Sequence, residues 1–180
     1  MQKRLIIDHI LLDITLSRLA HQLIENHGDF ASTVMIGLQP RGVLLASRLK
    51  KTLDQLLENP VKLGYLDTTF HRDDFRRRDV PIKANTTEIP FLIEDKNVIL
   101  IDDVLYTGRS VRAALDAMIS FGRPKKVELL VLINRKYARE LPVEPTYVGN
   151  AVNTMDTQRV LVEWNDDQTG NVWLTTKQET

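Results

Sequence analysis

The run Val98-Ile99-Leu100-Ile101, followed directly by Asp102-Asp103, constrains this chain more than any other stretch. Four branched apolar residues in a row read as a strand buried on both faces, the kind found in a parallel sheet. Two carboxylates then stand where that strand ends. Val104, Leu105 and Tyr106 lead into a small-residue turn, Thr107-Gly108, and after Arg109 the residue Ser110 opens an apolar-periodic run. Val111, Ala114, Leu115, Met118 and Ile119 recur at the spacing of a helix. This order places an acid pair and unpaired backbone N–H groups at the carboxyl edge of an α/β sheet, where such folds bind ligands. The N–H groups and the positive end of the helix suit a phosphate. Asp102 and Asp103 would repel that phosphate but suit sugar hydroxyls, or a metal riding on the ligand. Phosphate on one side and hydroxyls on the other describe a ribose 5-phosphate.

Composition narrows the field. A chain of 180 residues reads as one domain, 1–180, long enough for a substantial core. The absence of cysteine excludes disulfides, cysteine metal sites and thiol nucleophiles. No apolar run approaches bilayer length, and Met1-Gln2-Lys3-Arg4 leads into only a short apolar stretch. The expectation is a soluble, cytoplasmic protein with no membrane partner, no spanning helix and no signal peptide. Lysine and arginine total 24, and so do the acids, so nucleic-acid binding would have to rest on a local basic face. Neither a P-loop signature nor a G-x-G-x-x-G run occurs, which removes the common nucleoside-triphosphate and dinucleotide motifs.

A second strand–turn–helix junction lies upstream. Val34-Met35-Ile36-Gly37-Leu38 reads as a buried strand running into Gln39-Pro40-Arg41-Gly42 and an apolar helix of Val43, Leu44, Ala46, Leu49, Leu53, Leu56 and Leu57. Glycine lets backbone approach a phosphate closely, and arginine offers a bidentate fork. The sequence leaves Gln39–Pro40 free to be cis or trans. Before it, Leu12, Leu16, Leu19, Ala20 and Leu23 predict a first helix, with Asp13 as N-cap and Gly28 as stop. Ser17, Arg18 and His21 share its polar face. Lys62 to Phe70 reads as a strand, after which the charged segment His71 to about Pro90 has no regular pattern and reads as a lid or a disordered loop. Gly122 and Pro124 stop the helix that comes after the acid pair. Val127 to Ile133 is a further buried strand, Tyr147-Val148 a short one, and Val160–Trp164 with Val172–Leu174 a hairpin.

The apolar strand, two acids and T-G turn resemble the PRPP motif of the type I phosphoribosyltransferases, PRPP being 5-phosphoribosyl 1-diphosphate. Other stretches sharpen this to the PyrR family, bifunctional pyrimidine-operon regulators with uracil phosphoribosyltransferase activity. They are Leu-Ser-Arg-Leu-Ala-His (16–21), the Q-P-R-G loop, Arg72-Asp73-Asp74, I-D-D-V-L-Y-T-G-R-S, Phe121-Gly122-Arg123-Pro124 and Arg139-Glu140-Leu141-Pro142. The resemblance spans nearly the whole chain. It implies an α/β type I phosphoribosyltransferase fold, with a mostly parallel central sheet flanked by helices. It further implies a lid arm over about 68–95, and a small C-terminal hood from about 134 to 180 joined by the N-terminal segment. It assigns Asp102, Asp103 and Arg72 to catalysis, Tyr106, Thr107, Gly108, Arg109 and Ser110 to the ribose phosphate, and Pro40, Arg41 and Gly42 to pyrophosphate. Ile133, Asn134 and Arg135 fall to the base, and Ser17, Arg18, His21 and Arg139 to RNA.

The resemblance also implies PRPP, uracil and UMP as ligands, a pyrimidine-operon leader RNA as partner, and a homodimer or homotetramer. The protein itself would hold no metal. Mg2+ would arrive on PRPP, with Asp102 and Asp103 outside its first ligand sphere. Purine enzymes of this superfamily usually carry Asp at the place of Tyr106, so the motif argues for a pyrimidine. The alternatives are a hypoxanthine or xanthine phosphoribosyltransferase, and a salvage enzyme without an RNA function. Three departures touch the base and RNA contacts. Asn134-Arg135-Lys136 replaces a common Asp-Arg-Gly, the segment is one residue longer before Arg139, and Asn150 follows Gly149 where Lys is common.

Overall fold

The computed structural model describes residues 2–71, 85–155, 157–165 and 169–176. Its centre is β4, Asn97–Leu105, whose alternate side chains leave on opposite faces. Ile99 and Ile101 join one buried cluster, Val98 and Leu100 the other. β2 (Thr33–Leu38) and β5 (Lys126–Lys136) flank β4 in parallel, β3 (Leu63–Leu66) and β6 (Tyr147–Asn153) close the edges, and the order is β3-β2-β4-β5-β6. Such a sheet needs cover on both faces. The helices α1 (His9–His27) and α2 (Gly42–Leu56) cover one, burying Leu12, Leu16, Leu19, Leu23, Leu45, Leu49 and Leu53. The other is covered by α3 (Arg109–Met118) through Val111, Ala114, Ala117 and Met118. Each fully buried leucine or isoleucine adds about 1.5–3 kcal/mol, so the two clusters dominate the fold's stability. This is the expected type I phosphoribosyltransferase architecture.

Element boundaries differ in places from the sequence reading. The first helix is capped by Asp8, not Asp13: the Asp8 carboxylate accepts from Leu11 N at 2.8 Å, contributing about 1 kcal/mol. Ile10, Leu11 and Ile14 of its first turns are exposed, so the apolar period starts later than the helix does. Leu44 and Leu56 of α2 also face solvent. β3 covers only four of the nine residues expected, and a 3-10 turn, Thr69–His71, comes after it. β5 and β6 are longer than expected, which places residues 134–136 and 147–153 in the main sheet rather than in a hood. The small second sheet is β1 (Gln2–Ile7), β8 (Gly170–Thr176) and β7 (Gln158–Trp164), all antiparallel, so the chain's start completes the C-terminal hairpin.

Of the segment read as a lid, residues 72–84, including Arg72, lie outside the described residues. Its remainder, from residue 85 on, is packed on the domain. Glu88 pairs with Tyr65 through both backbone hydrogen bonds, and Ile93 is fully buried. No helix among the described residues is long and apolar enough to cross a membrane.

Candidate active site

β2 leaves the sheet before β4 does. Their pairing ends at Gly37 and Ile101, whereas β4 stays paired to β5 as far as Leu105 and Asn134. Asp102 and Asp103 therefore sit inside a strand that has lost one neighbour, and the gap beside them is a cleft of about 360 Å³. Leu38, Gln39, Pro40 and Arg41 form one wall, Thr68 and Thr69 another, and Asp102, Asp103, Val104 and Ser110 the third. This brings the acid pair, the expected pyrophosphate loop and the start of α3 into one crevice at the carboxyl edge of the sheet.

Gly42 allows the two walls to meet. A Cβ on it would lie 2.3 Å from the Ile101 carbonyl oxygen and 3.0 Å from the Asp102 Cα, so no other residue fits against β4 there. The Gln39–Pro40 bond is cis. Gln39 holds the loop at both ends: its N–H donates to Leu66 O at 2.9 Å and its side-chain amide to Thr86 O at 2.6 Å. Asp67 works beside it, accepting from Thr69 N and Oγ1 and from Asn85 N.

The two acids point to opposite faces, as neighbours on a strand must. Asp103, only 4% exposed, accepts from Arg41 Nε at 2.7 Å. Arg41 also donates to Val162 O of β7 at 2.8 Å, so one guanidinium ties the loop, the acid and the small sheet together. Asp102 is half-buried and accepts from Asp103 N at 2.9 Å. Burial, and after it the adjacent Asp103 carboxylate, pushes the Asp102 carboxyl well above its ordinary value. An acid in that condition favours the arrival of positive charge.

Beyond β4 the loop 106–108 turns through Gly108 at φ +93 into α3. The segment after β5 clamps it. Glu140 N and Leu141 N both donate to Thr107 O, at 3.0 and 3.2 Å, and Arg109 Nε pairs with Glu140 at 2.7 Å. Arg139 donates through Nη1 to Tyr106 O and through Nη2 to Asn134 Oδ1 at 2.6 Å. Burial lowers its guanidinium from the ordinary value. Arg139, read from the sequence as an RNA contact, thus stands against loop 106–108.

The residues expected at the base are engaged within the protein. Ile133 is fully buried, paired with Val104 on one side and Asn150 on the other. Arg135 is 5% exposed and lies under the Tyr106 ring, 3.8 Å from its centroid. Ser17, Arg18 and His21 are all exposed on α1. Arg18 reaches the edge strand β6, donating to Val148 O and, at 2.6 Å, to Gly149 O, while His21 Nδ1 bonds Ser17 O at 2.8 Å. Sequence reasoning missed Gln39 as an anchor, and Asp67, Thr68 and Thr69 altogether. Their one signal was position: a polar run just after a strand of a parallel sheet falls at the ligand edge.

Comparison with known proteins agrees with this geometry. Residues 7–167 match the phosphoribosyl transferase domain model. The bifunctional PyrR protein of Bacillus subtilis is 39% identical over 168 residues, covering 92% of each chain. That of Enterococcus faecalis is 39% identical over 166 residues, again 92% of each, and that of Streptococcus agalactiae 41% over 163, or 91% of each. Among solved structures, a Staphylococcus aureus hypoxanthine phosphoribosyltransferase superposes with a TM-score of 0.66 at 18% identity, covering 89% of this chain and 81% of that one. A Trypanosoma cruzi hypoxanthine phosphoribosyl transferase reaches 0.70 at 12%, covering 94% and 90%. At such identities the structures speak for the fold. The cleft at the carboxyl edge of β4, the domain match and the full-length relatives together make this chain a phosphoribosyltransferase of the PyrR family.

Proposed function

We propose that the chain transfers the ribose 5-phosphate of PRPP to N1 of uracil, and that it also binds a pyrimidine leader RNA in response to UMP. The observation that carries the enzymatic half is the convergence of Arg41, Asp102, Asp103 and Ser110 on one cleft, with Gly42 packed against Ile101 and Asp102 beside it. In the reaction the C1–O bond breaks with its electron pair leaving on diphosphate, the C1–N1 bond forms, and the N1 proton passes to water. Positive charge develops at the anomeric carbon, and the two carboxylates stabilise it while holding ribose hydroxyls. Pro40, Arg41 and Gly42 take the diphosphate, and loop 106–110 takes the 5-phosphate on its backbone N–H groups and on the hydroxyls of Thr107 and Ser110. Asp102 and Asp103 offer the cleft two carboxylates, a donor set that fits a divalent ion carried in by PRPP. Mg2+ so carried would offset charge on the leaving diphosphate, with the two acids outside its first ligand sphere. Tyr106 supports a pyrimidine, since a phenol cannot take the part of a carboxylate at a purine N7 proton. The test is diphosphate release from PRPP with uracil, hypoxanthine, guanine and orotate compared. Turnover with uracil alone is expected, and turnover with hypoxanthine instead would refute the base assignment.

The regulatory half is supported by the exposed face of Ser17, Arg18 and His21 and by the bifunctional character named for the relatives. With equal numbers of acids and bases, affinity for RNA has to come from such a face repeated across a homodimer or homotetramer. Leader RNA with UMP should bind in preference to unrelated RNA. No preference would leave a salvage enzyme without regulation.

A further inference from the structure

Arg135 is an arginine buried to 5% exposure at the end of a central strand, and its polar reach is spent on the small sheet's approach. Its Nε donates to Thr154 Oγ1 at 2.8 Å, just past the end of β6, and its Nη2 to Gln158 O at 3.0 Å, the first residue of β7. Its flat face lies against Tyr106, 3.8 Å from the ring centroid. Strand register explains the meeting. Leu105 and Asn134 are paired across β4 and β5, so the next residue on each strand, Tyr106 and Arg135, are neighbours where the ladder stops. Tyr106 is the first residue of the phosphate loop, and its carbonyl is already held by Arg139. A planar cation on an aromatic face is a directional contact, so the ring is fixed in angle as well as position.

We propose that Arg135 is a positioning residue for the phosphate loop. It holds the Tyr106 ring from beneath and so sets the turn through Thr107 and Gly108 against Thr154 and Gln158. The idea rests on the assignment of loop 106–110 to the 5-phosphate. It separates the two ends of PRPP: the stack steers the ribose-phosphate end and leaves the diphosphate end, at Pro40, Arg41 and Gly42, untouched.

The experiment is calorimetric titration of full-length protein with Mg2+ and PRPP, with ribose 5-phosphate alone, and with diphosphate alone. Arg135→Met, Arg135→Lys and Tyr106→Leu should each weaken PRPP and ribose 5-phosphate by about tenfold and leave diphosphate within a factor of about two. Lysine should not rescue, because it lacks the plane. The Arg135→Met/Tyr106→Leu double variant should be no worse than either single, since both remove one contact. A merely structural role would weaken all three ligands together. Should Arg135→Met fail to fold, the exposed Tyr106 carries the test: unchanged ribose 5-phosphate affinity in Tyr106→Leu overturns the proposal, as do additive losses in the double variant. Thr107→Val is the control for the loop itself. If wild type binds no ribose 5-phosphate, or Thr107→Val binds as wild type does, the loop assignment fails. If that control loses affinity while Arg135→Met does not, only the positioning role fails.

Discussion

Arg41 Nε lies 2.7 Å from Asp103 Oδ2, an ion pair with one half in the cleft and one half buried in the sheet. The guanidinium is 49% exposed and the carboxylate 5%. Asp103 is thereby the fixed end of the pair and Arg41 the end open to the cleft. The same arginine bonds the β7 carbonyl of Val162, so its position depends on the small sheet as well.

Asp103→Ala should lower turnover by about a hundredfold or more, because it removes a transition-state carboxylate and frees Arg41 at once. Asp103→Asn keeps a hydrogen-bond acceptor for Arg41 and should recover PRPP affinity more than turnover. Steady-state diphosphate release, with kcat and KM separated, checks this. Near-normal kcat in the alanine variant would remove Asp103 from the chemistry.

Asp102 should make binding and stability depend on pH in opposite senses. A raised acid favours its protonated form in the free fold, so the stability it contributes is present at low pH and lost as pH rises through the raised value. Asp102→Asn should therefore raise Tm at alkaline pH, with the gain shrinking toward acid. Mg2+ with PRPP favours the carboxylate, so wild-type affinity should climb through the same pH range. An asparagine variant that keeps this climb would assign it to another group.

At the opposite edge of the sheet, Glu128 accepts from Lys126 Nζ at 2.5 Å and pairs with His27 Nε2 at 2.8 Å. Burial alone would raise Glu128, but Lys126, His27 and Tyr147 together hold it below its ordinary value. Burial pushes the Tyr147 phenol up to about 12 from an ordinary 10.0. A raised phenol contributes stability below pH 10 that is lost as pH climbs toward 12. Tyr147→Phe should flatten the alkaline fall of Tm over that window, read by thermal unfolding at successive pH values.

Gly42→Ala places a methyl 2.3 Å from the Ile101 oxygen. Either α2 or β4 must yield, at a cost of about 1–3 kcal/mol in urea unfolding. PRPP turnover should drop with it, since the pyrophosphate loop is then displaced from the acid pair. Unchanged stability would mean that the loop has slack the contact distances do not suggest.

Arg18→Ala should cost about 1 kcal/mol, because the guanidinium supplies hydrogen bonds to two carbonyls on the free edge of β6. His21→Ala should leave urea unfolding nearly unchanged, its ring bonding only within its own helix among the described contacts. Both should weaken leader RNA if that face binds it, so His21 is the cleaner probe. Equal stability loss in both variants would contradict this division.

The strand, acid pair and glycine turn of 98–110 were legible in the sequence because their pattern is local. A buried parallel strand shows as consecutive branched residues, and the turn shows as Thr-Gly before an amphipathic run. Gly28 and the hairpin of the last strands were readable for the same reason. Contacts made by chain crossing were not. Nothing near Arg135 in sequence shows that it ends beneath Tyr106, or that Arg139 closes on the carbonyl of Tyr106. Gln39 meets Thr86, and Arg41 meets Val162, across separations of 47 and 121 residues. Asp8 escaped notice as the cap because the exposed Ile10, Leu11 and Ile14 hide where the helix begins. Local pattern determines which backbone a segment adopts, through sterics and periodic burial. Only the packed fold decides which distant polar groups meet, because those contacts exist after the sheet order and the strand lengths have been set.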